Sequence, residues 1–173
     1  MSAAQPAIFS TLGILAVSQE ISGLALSIMH SAEAELVAEE SICLLSVASA
    51  RTVEAVAPEE SDLAASLMIA PFLYRDYLIG ATMIESGDLS RGEEGVTIGG
   101  RLERKTAFYA AHLRAGEYPT GSVLQNAMLL WMGRISPPRM PSGPEDRLEE
   151  IEATAKVACH LKLVAAHLRQ SRG

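Results

Sequence analysis

The sequence predicts an all-α protein: one domain, residues 1–173, built as a bundle of five or six helices around a kinked, buried central helix. Three observations predict it. Aromatic residues make up only 5% of the chain while Ala, Leu, Ile, Val and Met are plentiful, a balance that suits closely packed helices better than a β-sandwich. Apolar residues recur at steps of three and four through most segments. The chain of 173 residues is also long enough to enclose a real core.

The first segment, Pro6 to about Met29, carries Ile8, Leu12, Leu15, Gln19, Ser22, Leu26 and Met29 at helical spacing, with a first-turn proline where the helix tolerates one. Gly13, Ala16, Gly23 and Ala25 leave room for a close neighbour. Ser31, followed by Ala-Glu-Ala-Glu, is placed to cap a second helix and set acids in its first turn. That helix reads as amphipathic. Leu36, Val37, Leu44, Leu45, Val47, Val53 and Val56 form its apolar side, and Glu33, Glu35, Glu39, Glu40, Arg51 and Glu54 its polar side. Residues 57–61 are a turn, with either Pro58 at a first helical position or Ser61 as the cap.

Ser61–Ser86 holds the densest large apolar content and is the expected central helix, kinked at Pro71. Residues 86–100 contain five glycines and read as a long loop. An amphipathic helix through Phe108, Tyr109, His112 and Leu113 follows, closing near Gly116. A turn at Tyr118–Ser122, with Thr120 or Ser122 as cap, leads into an apolar helix containing Met128 and Trp131. Residues 135–144 form a proline-rich, extended linker. The last helix opens near Pro144, reaches about Arg169, and presents Ile151, Thr154, Ala158, Leu161, Ala165 and Leu168 as a seam.

Composition excludes several functions. Residues 1–62 carry nine acids against Arg51 alone, a net of −8, and the remaining twelve acids and thirteen bases give +1, which together make the −7 of the whole chain. Nucleic acid is not an expected partner for so acidic a first third. No membrane span is expected either. Arg75 and Asp76 interrupt residues 63–84, and each would cost about 2.5–3.5 kcal/mol at a bilayer centre. Ala7–Val17 is too short and lacks the preceding bases of a signal peptide. Cys43 and Cys159 sit within apolar helical patterns at no informative spacing, so buried free thiols and a cytoplasmic location are expected.

Candidate sites are few. Gly99-Gly100 leading into Arg101, Arg104 and Lys105 would hold a phosphate or carboxylate at a helix start. It lacks the G-K-[ST] of a phosphate loop, so a loop joined to a solvated basic face is the plainer explanation. Tyr74, Arg75, Asp76 and Tyr77 could line a pocket, with Arg75 gripping an anion. A structural ion pair is the plainer explanation there. Arg75 and Asp76 are adjacent, point about 100° apart and cannot pair with each other along one face. His30 and His160 are conceivable phosphoacceptors on a bundle, although the lysine and glycine pattern expected after such a histidine is absent. His160 and His167 are seven residues apart, roughly 10 Å along a helix, too far to share a metal. No catalytic set, metal site or cofactor motif stands out.

The expected function is therefore non-enzymatic: an adaptor, regulatory or assembly protein that works through helical protein–protein contact, with itself as a homo-oligomer or with a protein partner. A mean hydropathy of +0.19 implies apolar surface in need of cover. The competing expectations are binding or conversion of an anionic small molecule near Arg75 or at Gly99–Lys105, and histidine phosphotransfer.

Overall fold

A computed structural model describes residues 4–28, 33–74, 92–135 and 144–170, all helical or in short turns, with no strand among them. Among the described residues six helices follow in order: α1 (Ala4–Ile28), α2 (Ala34–Val56), α3 (Ser61–Met68), α4 (Gly92–His112), α5 (Gly121–Ile135) and α6 (Pro144–Gln170). Residues 70–74 are helical as well. The all-α class expected from composition is what the chain adopts.

Among the described residues the central helix is α2, whereas only 61–74 of the stretch expected to be central is described. α2 packs against each of the other five helices, and every residue from Glu39 to Ala50 is buried. A helix touched from all sides must be thin. Ser41, Cys43, Ser46, Ala48, Ser49 and Ala50 make it so, while Val37, Ile42, Leu44, Leu45, Val47 and Val53 fill the space between neighbours. Each fully buried aliphatic side chain contributes roughly 1.5–3 kcal/mol. Two of its hydroxyls are absorbed locally: Ser41 donates to Val37 O at 2.7 Å and Thr52 to Ala48 O at 2.9 Å. Glu33 occupies the position before α2, in extended conformation and without a side-chain cap, so Ser31 does not start this helix.

The described part of the 61–86 stretch, residues 61–74, is interrupted. α3 ends at Met68, Ile69 forms a turn, and helix resumes at 70. Pro71 has no N–H to continue the ladder, and the helix is interrupted two residues before it, at Ile69. Ile69 and Leu73 are more than half exposed.

α1 and α6 run antiparallel: Gly13 faces His160, and Glu20 Oε2 pairs with Lys156 Nζ at 2.9 Å. The buried face of α1 is Ile14, Ser18, Ile21, Ser22 and Ala25, about one residue round from the face expected, and Leu12 is exposed. In α6, Leu161, Ala165 and Leu168 are buried as expected, but Ile151 is exposed and the inward line runs through Ala153, Val157 and Val164. α5 buries Trp131, whose Nε1–H donates to Ser41 Oγ at 3.1 Å. Ser22 Oγ lies 3.0 Å from the same oxygen, so one serine of α2 joins α1 and α5. Of the two free cysteines, Cys43 is buried and Cys159, expected to be buried, is exposed.

Candidate functional site

α4 and α2 run parallel, and the charged face of each lies against the other. Arg101, Lys105 and Tyr109 recur at steps of four, which puts them on one side of α4. Opposite them stand Glu35, Glu39 and Glu40 of α2. One guanidinium nitrogen of Arg101, Nη2, donates to Glu35 Oε1 at 2.7 Å and to Glu39 Oε1 at 2.8 Å. Lys105 Nζ donates to Glu39 Oε2 and stands 3.7 Å from Glu40 Oε1. Tyr109 donates its hydroxyl to Glu40 Oε2 at 2.8 Å.

α5 completes the cluster. Arg134 forks onto Glu40, with Nε to Oε2 at 2.7 Å and Nη2 to Oε1 at 2.8 Å. Its guanidinium also lies 4.3 Å from the ring centroid of Phe108 on α4. Glu39, Glu40 and Lys105 are buried. Three carboxylates thus face three bases, and the cluster is neutral as a whole.

This pairing sets the protonation of its members. Burial alone would raise the Glu39 carboxyl, but the hydrogen bonds and charges of Arg101 and Lys105 outweigh it and hold it below the ordinary range. The hydrogen bond to Glu39 raises Arg101, and the one to Glu40 raises Arg134. Tyr109 is pushed far up, by burial first and then by the Glu40 charge. Beneath the cluster, burial pushes the Cys43 thiol up to about 12, and its Sγ lies 3.7 Å from Leu102 O. Both oxygens of Glu39 and of Glu40 accept from a base or tyrosine within the fold, so the cluster joins α2 to α4 and α5.

Gly99–Lys105, the stretch expected to hold an anion, lies within α4. Gly99 and Gly100 stand inside α4 rather than at its start, so their amides do not form a helix N-terminus. Arg101 and Lys105 are held by carboxylates of the same chain, and Arg104 is exposed on the far side. The loop expected over 86–100 is helix from Gly92 onward.

Tyr74 is half-buried, and burial followed by the charges of Glu39 and Glu35 raises its hydroxyl pKa. It lines a cavity of about 250 Å³ with Leu15, Ser22 and Leu26 of α1 and Ala34 and Ala38 of α2. Arg75, Asp76, Tyr77 and His30 lie outside the described residues, as does most of the 135–144 linker.

His160, expected with His30 as a phosphoacceptor, lies in the core. It is 5% exposed, its Cε1 abuts Gly13, and its Nε2 lies 3.0 Å from Ser49 Oγ. Burial lowers its pKa to about 4, so it stands neutral in the core. The Ser49–His160 contact has the atoms of a nucleophile and its base, yet Ser49 is wholly buried and neither residue lines the cavity.

Glu39, Glu40, Tyr109 and Arg134 were not among the site residues expected from sequence. Part of the signal was available: two adjacent acids, and bases and a tyrosine at four-residue spacing on a later helix. No group of His, Cys, Asp and Glu among the described residues could hold a metal ion, and none of the described helices is long and apolar enough to cross a membrane. No protein-family model, curated protein or solved structure matches the chain.

Proposed function

We propose that this is a non-enzymatic cytoplasmic protein that acts through helical protein–protein contact and assembles with itself. The supporting observation is the surplus of large apolar side chains on the outside. Leu12, Ile69, Leu73, Leu129, Ile151 and Leu163 are each more than half exposed, and they come from α1, the 69–74 turn, α5 and α6. Ile69 and Leu73 stand one turn apart, the spacing at which a helical partner is gripped. The charged groups that could have served a ligand instead neutralise one another inside the fold. Two unpaired cysteines fit a reducing compartment.

Size-exclusion chromatography with light scattering tests the assembly. The expected mass is at least twice the 18.4 kDa of one chain, with Leu73→Glu or Leu129→Glu shifting it toward the single chain. A uniform 18.4 kDa species at high protein concentration would overturn the proposal.

A further inference from the structure

We infer that α4 is a latch, a helix that opens from α2 as a unit while the rest of the bundle stays folded, uncovering Cys43 and the carboxylate of Glu39. The composition of its seat carries the inference. Among the described residues α4 packs chiefly on α2, and its buried large side chains are Leu102 and Tyr109, with Leu113 just beyond its end. Ile98, Phe108 and Ala110 pack on the core only in part, and the remainder of its hold is polar: Arg101 and Lys105 on Glu35 and Glu39, and Phe108 against Arg134 of α5. α6, by contrast, sinks Val157, Leu161, Val164 and Leu168 with two alanines against α1 and α2.

Paired charges recover their hydration when they separate, so an ionic seat resists opening less than an apolar seat of the same size. Segments with few buried apolar contacts are the ones that open below the threshold of global unfolding.

The two ends of the interface differ in a way that defines the motion. At the C-terminal end, Arg51 Nε donates to Leu113 O at 2.8 Å, and Glu54 Oε2 accepts from Gly116 N at 3.2 Å. Gly116 turns the chain with φ +73°, a conformation that suits glycine. That end is tied to α2 and serves as the pivot. Arg134 lowers the penalty of opening. It keeps its two-pronged hold on Glu40 from α5 when Tyr109 and Lys105 withdraw, so the deepest carboxylate is never left without a partner.

Cys43 reports the motion directly. It is wholly buried beneath Leu102, and the only other cysteine, Cys159, is exposed. In a Cys159→Ser background, Cys43 becomes the single thiol, and its reaction with a disulfide reagent at fixed pH is followed in low urea. The expected labelling rate is nearly independent of urea and about ten-fold or more above that of global unfolding, as a local opening requires. Lys105→Ala should raise it about ten-fold further by leaving Glu39 short of a partner. Leu161→Ala, which weakens α6 alone, should lower global stability without changing it. Should Lys105→Ala fail to fold, Arg101→Gln makes the same comparison at a more exposed position. Labelling that climbs with urea as steeply as global unfolding, and responds equally to the α4 and α6 substitutions, would overturn the latch. So would a thiol that reacts only when the whole bundle melts. The measurement is independent of assembly state, so it fails or succeeds separately from the light-scattering test.

Discussion

Gly13 decides how closely α1 approaches α6. A Cβ built there would stand 2.8 Å from His160 Cε1 and 3.1 Å from Nδ1. The ring cannot swing aside without giving up its 3.0 Å contact with Ser49. In an ordinary helix interior, alanine is favoured over glycine by about 1 kcal/mol. Here the clash outweighs that gain, and Gly13→Ala should lower stability by about 1–3 kcal/mol. Urea denaturation of Gly13→Ala, His160→Ala and the double variant measures the coupling between them. The loss should largely vanish once the imidazole is gone. If Gly13→Ala were stabilising on its own, the imidazole would not be fixed.

At the scale of the element, α4 shows what one helix gains from its neighbour. Its Gly99 and Gly100 each weaken it locally, yet the face formed by Arg101, Lys105 and Tyr109 holds it on α2. A Cβ on Gly100 would meet Arg104 Nη1 at 3.6 Å, an ordinary contact. Gly100→Ala should therefore stabilise the fold by about 0.5–1 kcal/mol. A thermal melt that moved down instead would put residue 100 outside a helix. The same glycines explain why 92–100 reads as a loop: local propensity is visible in sequence, whereas docking on a helix some 60 positions earlier is not. Residues 61–74 mislead in the opposite direction. Many large apolar residues mark a helix that must meet something, but the centre of a bundle needs narrow residues, and those of α2 look unremarkable in a row. Legible signals were the ones with a local mechanism: the turn at 57–61, the interruption near Pro71, and the opening of α6 at Pro144. The ionic cluster was legible only in halves, since nothing in Glu39-Glu40 names Lys105 or Arg134 as its partner.

For the whole molecule, the buried ionisable groups set the acid limb of stability. His160 is lowered from 6.5 to about 4 by burial. Between these values the unfolded chain takes up a proton that the folded chain refuses. Stability should thus decline as pH falls from about 6.5 to about 4, and this group adds no further slope below that. A difference of that size corresponds to about 3 kcal/mol. Glu39 acts later. Its folded-state pKa lies below the ordinary 4.5, so its contribution is present above that pH and is lost as pH falls through the lowered value. Urea midpoints measured from pH 7 to pH 4 should fall for the natural chain and stay nearly level for His160→Asn, which cannot take up the proton. Identical slopes in the two proteins would show that His160 is not held neutral in the core. The imbalance of charge along the chain also changes meaning: part of the acidic excess of the first third is answered inside the same molecule by Arg101, Lys105 and Arg134.

The position of α2 has a consequence for how the protein comes into being. Synthesis proceeds from the N-terminus at about 5–20 residues per second, so α2 emerges before four of the five helices that cover it. Its contacts are distant in sequence: Ser49 meets His160 across 111 positions, Trp131 reaches Ser41 across 90, and Arg134 reaches Glu40 across 94. Such long-range closures slow folding relative to bundles made of adjacent hairpins. Until α6 has left the ribosome, the stretch from Glu39 to Ala50 has no complete enclosure and must be shielded from other nascent chains. The protein makes its centre early and encloses it last.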